Sequence, residues 1–376
     1  MKFSIERADI LPKINHLSSI VPVKNTMIVL TNFLIEADHL SNILKITATD
    51  LEITVRAEIE ADIIESGKIA VSAKSFSDII SSFPDNIVYL ASAEQELKIS
   101  CGKSKFSLPC IDPLQFPLIP DEQMENADSM DISLFSIMIS STAFATSNKI
   151  SRPILNGILW KITKEKQLMA ATDSSKIAEF TVTQSSEIEQ EQIEKIIPTK
   201  APNFIARIAE DGKAEIKILF KSNKVIFKYG IFTIFSHVIE GKYPDYTRAF
   251  PQDNDNKLVI DRADLIKSIK RISLTSSEFD FKIQLDISDE GTFLSSSNTN
   301  KEEGREELTT VFSNCSNFGI AFNYRYLLSI LNVMSDKNVL FLFKGPNDAI
   351  LVFNENEKEN LASRFLLMPL RIRSTS

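Results

Sequence analysis

Ile5-Glu6-Arg7-Ala8-Asp9-Ile10-Leu11-Pro12-Lys13-Ile14 returns 255 residues later as Ile260-Asp261-Arg262-Ala263-Asp264-Leu265-Ile266-Lys267-Ser268-Ile269. Self-similarity at long range outranks any local motif, because it sets the size of the repeating unit. A weaker middle copy, with Ile132, Ile137 and Met138 spaced as Ile5, Ile10 and Leu11 are, stands at an offset of 127. Other landmarks keep the same phase. Ala48-Thr49-Asp50 recurs as Ala171-Thr172-Asp173, and Phe106-Ser107-Leu108 with Phe116-Pro117 recurs as Phe232-Thr233-Ile234 with Tyr243-Pro244. Three periods of about 125 to 128 residues fill the 376-residue chain.

Within each period the pattern runs strand, helix, strands, helix, strands. Asn42 to Thr47, Leu51 to Ile59, Glu215 to Phe220 and Lys224 to Tyr229 alternate apolar with polar residues, as half-buried strands do. Helical spacing is expected at Lys74 to Phe83, Lys200 to Ile208 and Tyr324 to Leu331. The economical architecture is α+β, antiparallel sheet with helices on one face. Seams are expected in the acidic, irregular stretches 121–128 and 252–256, giving domains 1–126, 127–253 and 254–376.

Catalytic patterns are sparse. His16, His39 and His237 are scattered, and the ten glycines form neither GxGxxG nor GxxxxGK[ST]. Cys101, Cys110 and Cys315 are too few for a disulfide framework or a four-cysteine zinc site, and are expected to be reduced. No metal or cofactor is expected. An apolar run of membrane-spanning length is missing, and the opening residues read as folded structure, so a cytoplasmic location is expected. A net charge of -8 requires any grip on nucleic acid to be local. The segment Arg262 to Leu274 offers one such place: Leu265, Ile266, Ile269 and Ile272 form an apolar stripe with Lys267, Lys270 and Arg271 roughly opposite. A solvated helix face explains the same pattern. The first helix is less regular, with Arg7 among apolar residues and Lys13 at the stripe's edge, and the middle one has no basic residue. Lys24, Lys103, Lys105, Lys149 and Arg152 fall on expected loops or helix ends.

Eight ordered segments resemble the bacterial sliding clamps, the beta subunits of the replicative DNA polymerase. They are Met1 to Ile5, Ala48 to Ile53, Lys103 to Leu108, Arg152 to Gly157, Ala171 to Asp173, Tyr243 to Tyr246, Phe322 to Tyr326 and Met368 to Arg371. The resemblance implies a DNA clamp fold of three similar domains, helices inside and sheets outside, with two chains head to tail in a ring of six domains. It implies a non-catalytic processivity factor that encircles duplex DNA. Partners would be a second copy, the alpha-type polymerase subunit, the clamp loader, other polymerases and repair proteins. Lys24, Lys149 and Arg152 match positions that face DNA in that family; Lys267, Lys270 and Arg271 extend the set from helix geometry.

By the same resemblance a pocket for partner motifs would draw on Leu155, Thr172, Ser174, Ser175, Lys176, Ile177, Pro244, Arg248 and Ala249. Asn323, Tyr326, Met368, Pro369, Leu370 and Arg371 would complete it. Where the family commonly has Gly-His-Arg-Leu after Ala-Thr-Asp, this chain has Ser174-Ser175-Lys176-Ile177, which removes a glycine and a guanidinium. Five residues, 372–376, run past the usual end. Two further readings stay open at this point: a self-associating scaffold that has lost DNA use, and a metal-dependent hydrolase.

Overall fold

A computed structural model of the chain describes residues 1–371 except 25, 94, 118, 120, 184–191, 210–213, 316 and 357–359; the extension 372–376 lies outside the described residues. Six α-helices stand among the described residues: α1 (Arg7–Ser18), α2 (Ala73–Ser82), α3 (Ile132–Ala143), α4 (Lys200–Ile208), α5 (Arg262–Ile272) and α6 (Tyr324–Val333). Helices α1, α3 and α5 each follow a short strand, Lys2–Glu6, Asp128–Asp131 and Asn256–Asp261. Their start is set by side-chain caps where an acid is available. The Asp131 carboxylate accepts the Ser133 and Leu134 N–H groups, and Asp261 accepts those of Ala263 and Asp264.

The repeat extends to individual bonds. Arg7 donates through Nε to the Ile80 carbonyl at 3.0 Å and through Nη2 to that of Ser81 at 3.0 Å, closing the open end of α2. Arg262 donates to the carbonyls of Asp336 and Leu331, at 2.9 and 3.1 Å, at the end of α6. Each guanidinium meets at least one carbonyl in the last turn of a helix, Ile80 and Ser81 of α2 and Leu331 of α6, where cations also suit the helix dipole. Position 132 carries Ile instead, so the middle copy lacks this tie.

The middle copy is also two residues out of phase with its sequence alignment. Helix starts at 7, 132 and 262 make Phe135, buried, the counterpart of Ile10 and Leu265, whereas Ile137 is 43% exposed. In an isoleucine-rich chain, apolar residues match at several neighbouring offsets.

Main-chain contacts divide the chain into two compact units, Met1–Ser136 with Lys200–Val238 and Ile137–Thr199 with Ile239–Ser376. The first holds a thirteen-stranded antiparallel sheet, in which Phe232–His237 pairs with Ile53–Glu60 and sets Ile234 opposite Val55. In the second, a nine-stranded sheet joins Lys176–Thr183 to Leu361–Leu367, with Phe180 opposite Ser363. A four-stranded sheet of Lys282–Ser288, Gly291–Ser297, Glu303–Leu308 and Phe318–Asn323 completes that unit. The middle third therefore gives strands to both units.

Ala48-Thr49-Asp50 and Ala171-Thr172-Asp173 build the same turn twice. Thr49 Oγ1 accepts the Leu51 N–H and donates to the Ile53 carbonyl; Thr172 does the same with Ser174 and Lys176. In both, the aspartate accepts the N–H groups two and three residues further on. The residue after it is left-handed, Leu51 at φ 75° and Ser174 at φ 78°. That conformation costs an L-residue roughly 1–2 kcal/mol, part of which a glycine returns through its looser unfolded chain. Leu51→Gly is therefore expected to stabilise the protein by about 0.5–1 kcal/mol. A urea titration followed by circular dichroism should show a higher midpoint, and an unchanged or lower one would contradict the strain argument.

Candidate functional site

The second unit carries an apolar cleft of about 550 Å³. A short 3-10 turn, Pro153–Asn156, brings in Ile154 and Leu155, and the two ends of the Thr-Asp turn supply Thr172, Ser174, Lys176 and Ile177. Pro244, Tyr246 and Ala249 form a second wall, and Leu366 and Met368 close the third. The strand Leu361–Leu367 ends there because Met368 leaves the ladder after its N–H bonds the Ser175 carbonyl at 2.9 Å.

Of the residues assigned by resemblance, Leu155, Thr172, Ser174, Lys176, Ile177, Pro244, Ala249 and Met368 line this cleft. The others are placed differently. Ser175 anchors Met368 from behind, Arg248 is exposed and paired with Asp245 at 2.8 Å, and Asn323 caps α6 by accepting the Arg325 and Tyr326 N–H groups. Leu370 donates its N–H to the Ala321 carbonyl at 2.7 Å, and Pro369 and Arg371 stand beside it off the wall. Tyr326 acts through Lys176, whose ammonium lies 4.2 Å from the ring centroid.

Lys176 is only 5% exposed and paired with Asp173. Lys176 is thus an inward cation, held by a carboxylate and a ring face. Ser174 also has a partner: Arg152, assigned to DNA by resemblance, lies on the cleft wall and donates to Ser174 Oγ at 2.9 Å. Sequence reasoning passed over Ile154, Tyr246, Lys242 and Leu366. Tyr246 ends the Tyr243-Pro244-Asp245-Tyr246 segment, and Leu366 stands two residues before Met368, so both carried a usable signal.

Beneath the wall lies a buried polar network. The Tyr246 hydroxyl donates to Glu179 at 2.5 Å, and Arg364 Nε donates to the other Glu179 oxygen while its guanidinium lies over Phe250. Burial, and then the Glu179 charge, push the Tyr246 phenol far above its ordinary range. Tyr243 accepts the Thr172 N–H at 3.1 Å, and burial raises its phenol to about 12. A phenol raised in the folded state contributes stability below its unfolded value near 10, lost as pH rises through the folded value. The protein should therefore lose roughly 2–3 kcal/mol from Tyr243 alone between about pH 10 and 12. Urea midpoints across that range, compared with Tyr243→Phe, check this; equal alkaline loss in both would contradict it.

The remaining basic candidates are exposed. Lys24, Lys149 and Lys270 form no ion pair among the described residues, Lys267 meets Asp264 at 3.2 Å, and Arg271 is held by Glu306. Lys105, expected on a loop, lies in the strand Ser104–Ile111. Among the described residues no three His, Cys, Asp or Glu side chains converge as a metal site would require, and no helix is long and apolar enough to cross a membrane.

Family models for the N-terminal, central and C-terminal domains of the DNA polymerase III beta subunit match residues 1–120, 129–245 and 247–371. The beta sliding clamp of Staphylococcus epidermidis is 30% identical over 381 residues, 99% of each chain. A Pseudomonas aeruginosa sliding clamp, crystallised with griselimycin, superposes with a TM-score of 0.90 at 28% identity, over 99% of this chain and 100% of that one. The Bacillus subtilis sliding clamp shares the fold, with a TM-score of 0.92 at 24% identity over 99% of both chains.

Proposed function

This chain belongs to the DNA polymerase III beta subunit family, the bacterial sliding clamps, and from that premise we propose that two copies close head to tail into a six-domain ring around duplex DNA. As a member of that family it is a non-catalytic processivity factor with the clamp fold, and no enzyme. The three domains are assigned to 1–126, 127–253 and 254–376, and the cytoplasm is the expected compartment.

The observation that carries the ring is a pair of unmatched strand edges. Strand Ser104–Ile111 bonds Glu96–Cys101 on one side, but on the other only Cys110 and Ile111 pair with a described strand. Lys103, Lys105 and the 41%-exposed Phe106 lie along the open part. Strand Glu303–Leu308 is the edge of the four-stranded sheet and bears Glu303, Glu306 and Glu307, with Leu274, 82% exposed, on the neighbouring turn. One edge is basic and the other acidic, and each has an apolar anchor. Open edges invite pairing with another chain, and a head-to-tail arrangement of two copies satisfies both pairs of edges and closes.

Retention on DNA then comes from topology. Lys24, Lys149, Arg152, Lys267, Lys270 and Arg271 would supply weak phosphate contacts, with Arg271 attenuated by Glu306 and Arg152 shared with the cleft. The apolar cleft would take Leu and Phe anchors from tails of the alpha-type polymerase subunit, the clamp loader, other polymerases and repair proteins.

Loading onto nicked circular DNA by a cognate clamp loader with ATP tests the whole reading. The protein should stay through a high-salt wash and leave when a restriction enzyme opens the circle. Equal retention on linear DNA, or none on circles with a loader active on another clamp, would defeat it.

A further inference from the structure

In the first unit, strands Gly67–Ser72, Asn32–Asp38, Ile43–Thr49 and Ile53–Glu60 set two rows of side chains on one face of the sheet. Lys68, Glu36 and Lys45 stand across from one another in one row, and Leu34, Thr47 and Arg56 in the next. All but Thr47 line a cleft of about 290 Å³, which Phe116, Ile119 and Asp121 help to close.

Part of this cleft repeats, in the first unit, the buried network that lies beneath the Tyr246 wall in the second. Arg56 comes seven residues after Thr49, as Glu179 comes seven after Thr172; Ile119 comes two after Pro117, as Tyr246 comes two after Pro244. The buried charge at the repeated position is reversed, from the Glu179 carboxylate to the Arg56 guanidinium.

Arg56 is 6% exposed, donates to Asp121 and, at 3.4 Å, to the Ile119 carbonyl, and its Nε has no acceptor among the described residues. Thr47 Oγ1, in the same row, is likewise buried and has no partner among the described residues. Buried donors without partners carry a desolvation penalty that an incoming oxygen relieves. Asp121 shows what the site accepts. Its carboxylate rests on Arg56 and lies 4.0 Å from Lys45, while the side chain is 77% exposed. The hydrogen bond from Arg56 holds its carboxyl below the usual carboxylate range.

We propose that this cleft docks an acidic-apolar segment of a partner protein, which displaces Asp121, seats its own carboxylate among Arg56, Lys45 and Lys68, and lays the following apolar side chain against Leu34, Phe116 and Ile119. Bidentate geometry favours a carboxylate on the guanidinium, and the apolar side of the cleft selects a peptide over a bare anion. The assignment does not depend on what fills the cleft of the second unit.

The test is a methyl-detected NMR titration of the full chain with the blocked dipeptide N-acetyl-Glu-Leu-amide. Methyl signals of Leu34 and Ile119 should shift and saturate. Asp121→Ala, which removes an exposed competitor, should tighten binding at least fivefold, and Lys45→Gln should weaken it by a similar factor. Leu155 and Ile177 methyls report the other cleft in the same spectra, so failure of one site is distinguishable from failure of the other. Equal titration by N-acetyl-Gln-Leu-amide, the same shifts at the same affinity from inorganic phosphate, or unchanged affinity in Asp121→Ala would each overturn the proposal.

Discussion

Lys103→Glu combined with Lys105→Glu is expected to raise the dimer dissociation constant by two orders of magnitude or more. The pair stands on the open edge of Ser104–Ile111, and the partner copy would present Glu303, Glu306 and Glu307 to it. Reversal turns attraction into like-charge contact across a partly desolvated strand pairing, which costs several kcal/mol, and each 1.4 kcal/mol is tenfold. Both lysines are exposed, so the folded monomer should persist. Sedimentation equilibrium reads the change directly. Reversing Glu303 and Glu307 to Lys in the same chain should restore much of the dimer, which a general loss of stability would not permit. A dissociation constant that ignores the reversal would move the ring's joint elsewhere.

Met368→Ala should weaken binding of a peptide with Leu and Phe anchors by about tenfold to a hundredfold. Met368 lines the apolar cleft together with Leu155 and Pro244, and an apolar anchor contact of this kind is worth about 1.4–3 kcal/mol. It is partly exposed before any partner arrives, so truncation leaves little cavity and should shift the unfolding midpoint only slightly. Fluorescence polarisation with a labelled peptide measures the effect. Affinity equal to that of the unmodified chain would remove the cleft from partner capture and favour a scaffold that has given up the clamp's partners.

The repeat was legible because helix-starting residues and the Thr-Asp turn recur with their chemistry intact. Arg7 and Arg262 do the same work 255 positions apart, and Thr49 and Thr172 make matching bonds. Yet Arg7 reads in sequence as a flaw in an apolar stripe, because its partners are main-chain carbonyls some 73 positions away, which no periodicity displays. The division into two units was illegible for the same reason. Strand pairing at the seams is a main-chain matter, and the acidic composition near 121–128 does not interrupt it.

At the cleft, apolar residues on alternating strands were readable as a group only through the family resemblance. The inward turn of Lys176 was not readable at all, since a lysine after two serines in a turn gives no sign that Asp173 and Tyr326 will enclose it. The left-handed backbone at Ser174 was equally hidden, and the structure shows its hydroxyl engaging Arg152.

The sharing of the middle third between two sheets bears on dissection of the molecule. A fragment cut at the acidic seams would take Phe232–His237 away from Ile53–Glu60 and Lys176–Thr183 away from Leu361–Leu367. It would leave with two raw edges, and each neighbour would keep one. The copies are tandem along the chain but interleaved in hydrogen bonding, so the central one is no transplantable module, and shuffling it between relatives would have to carry its pairing strands along.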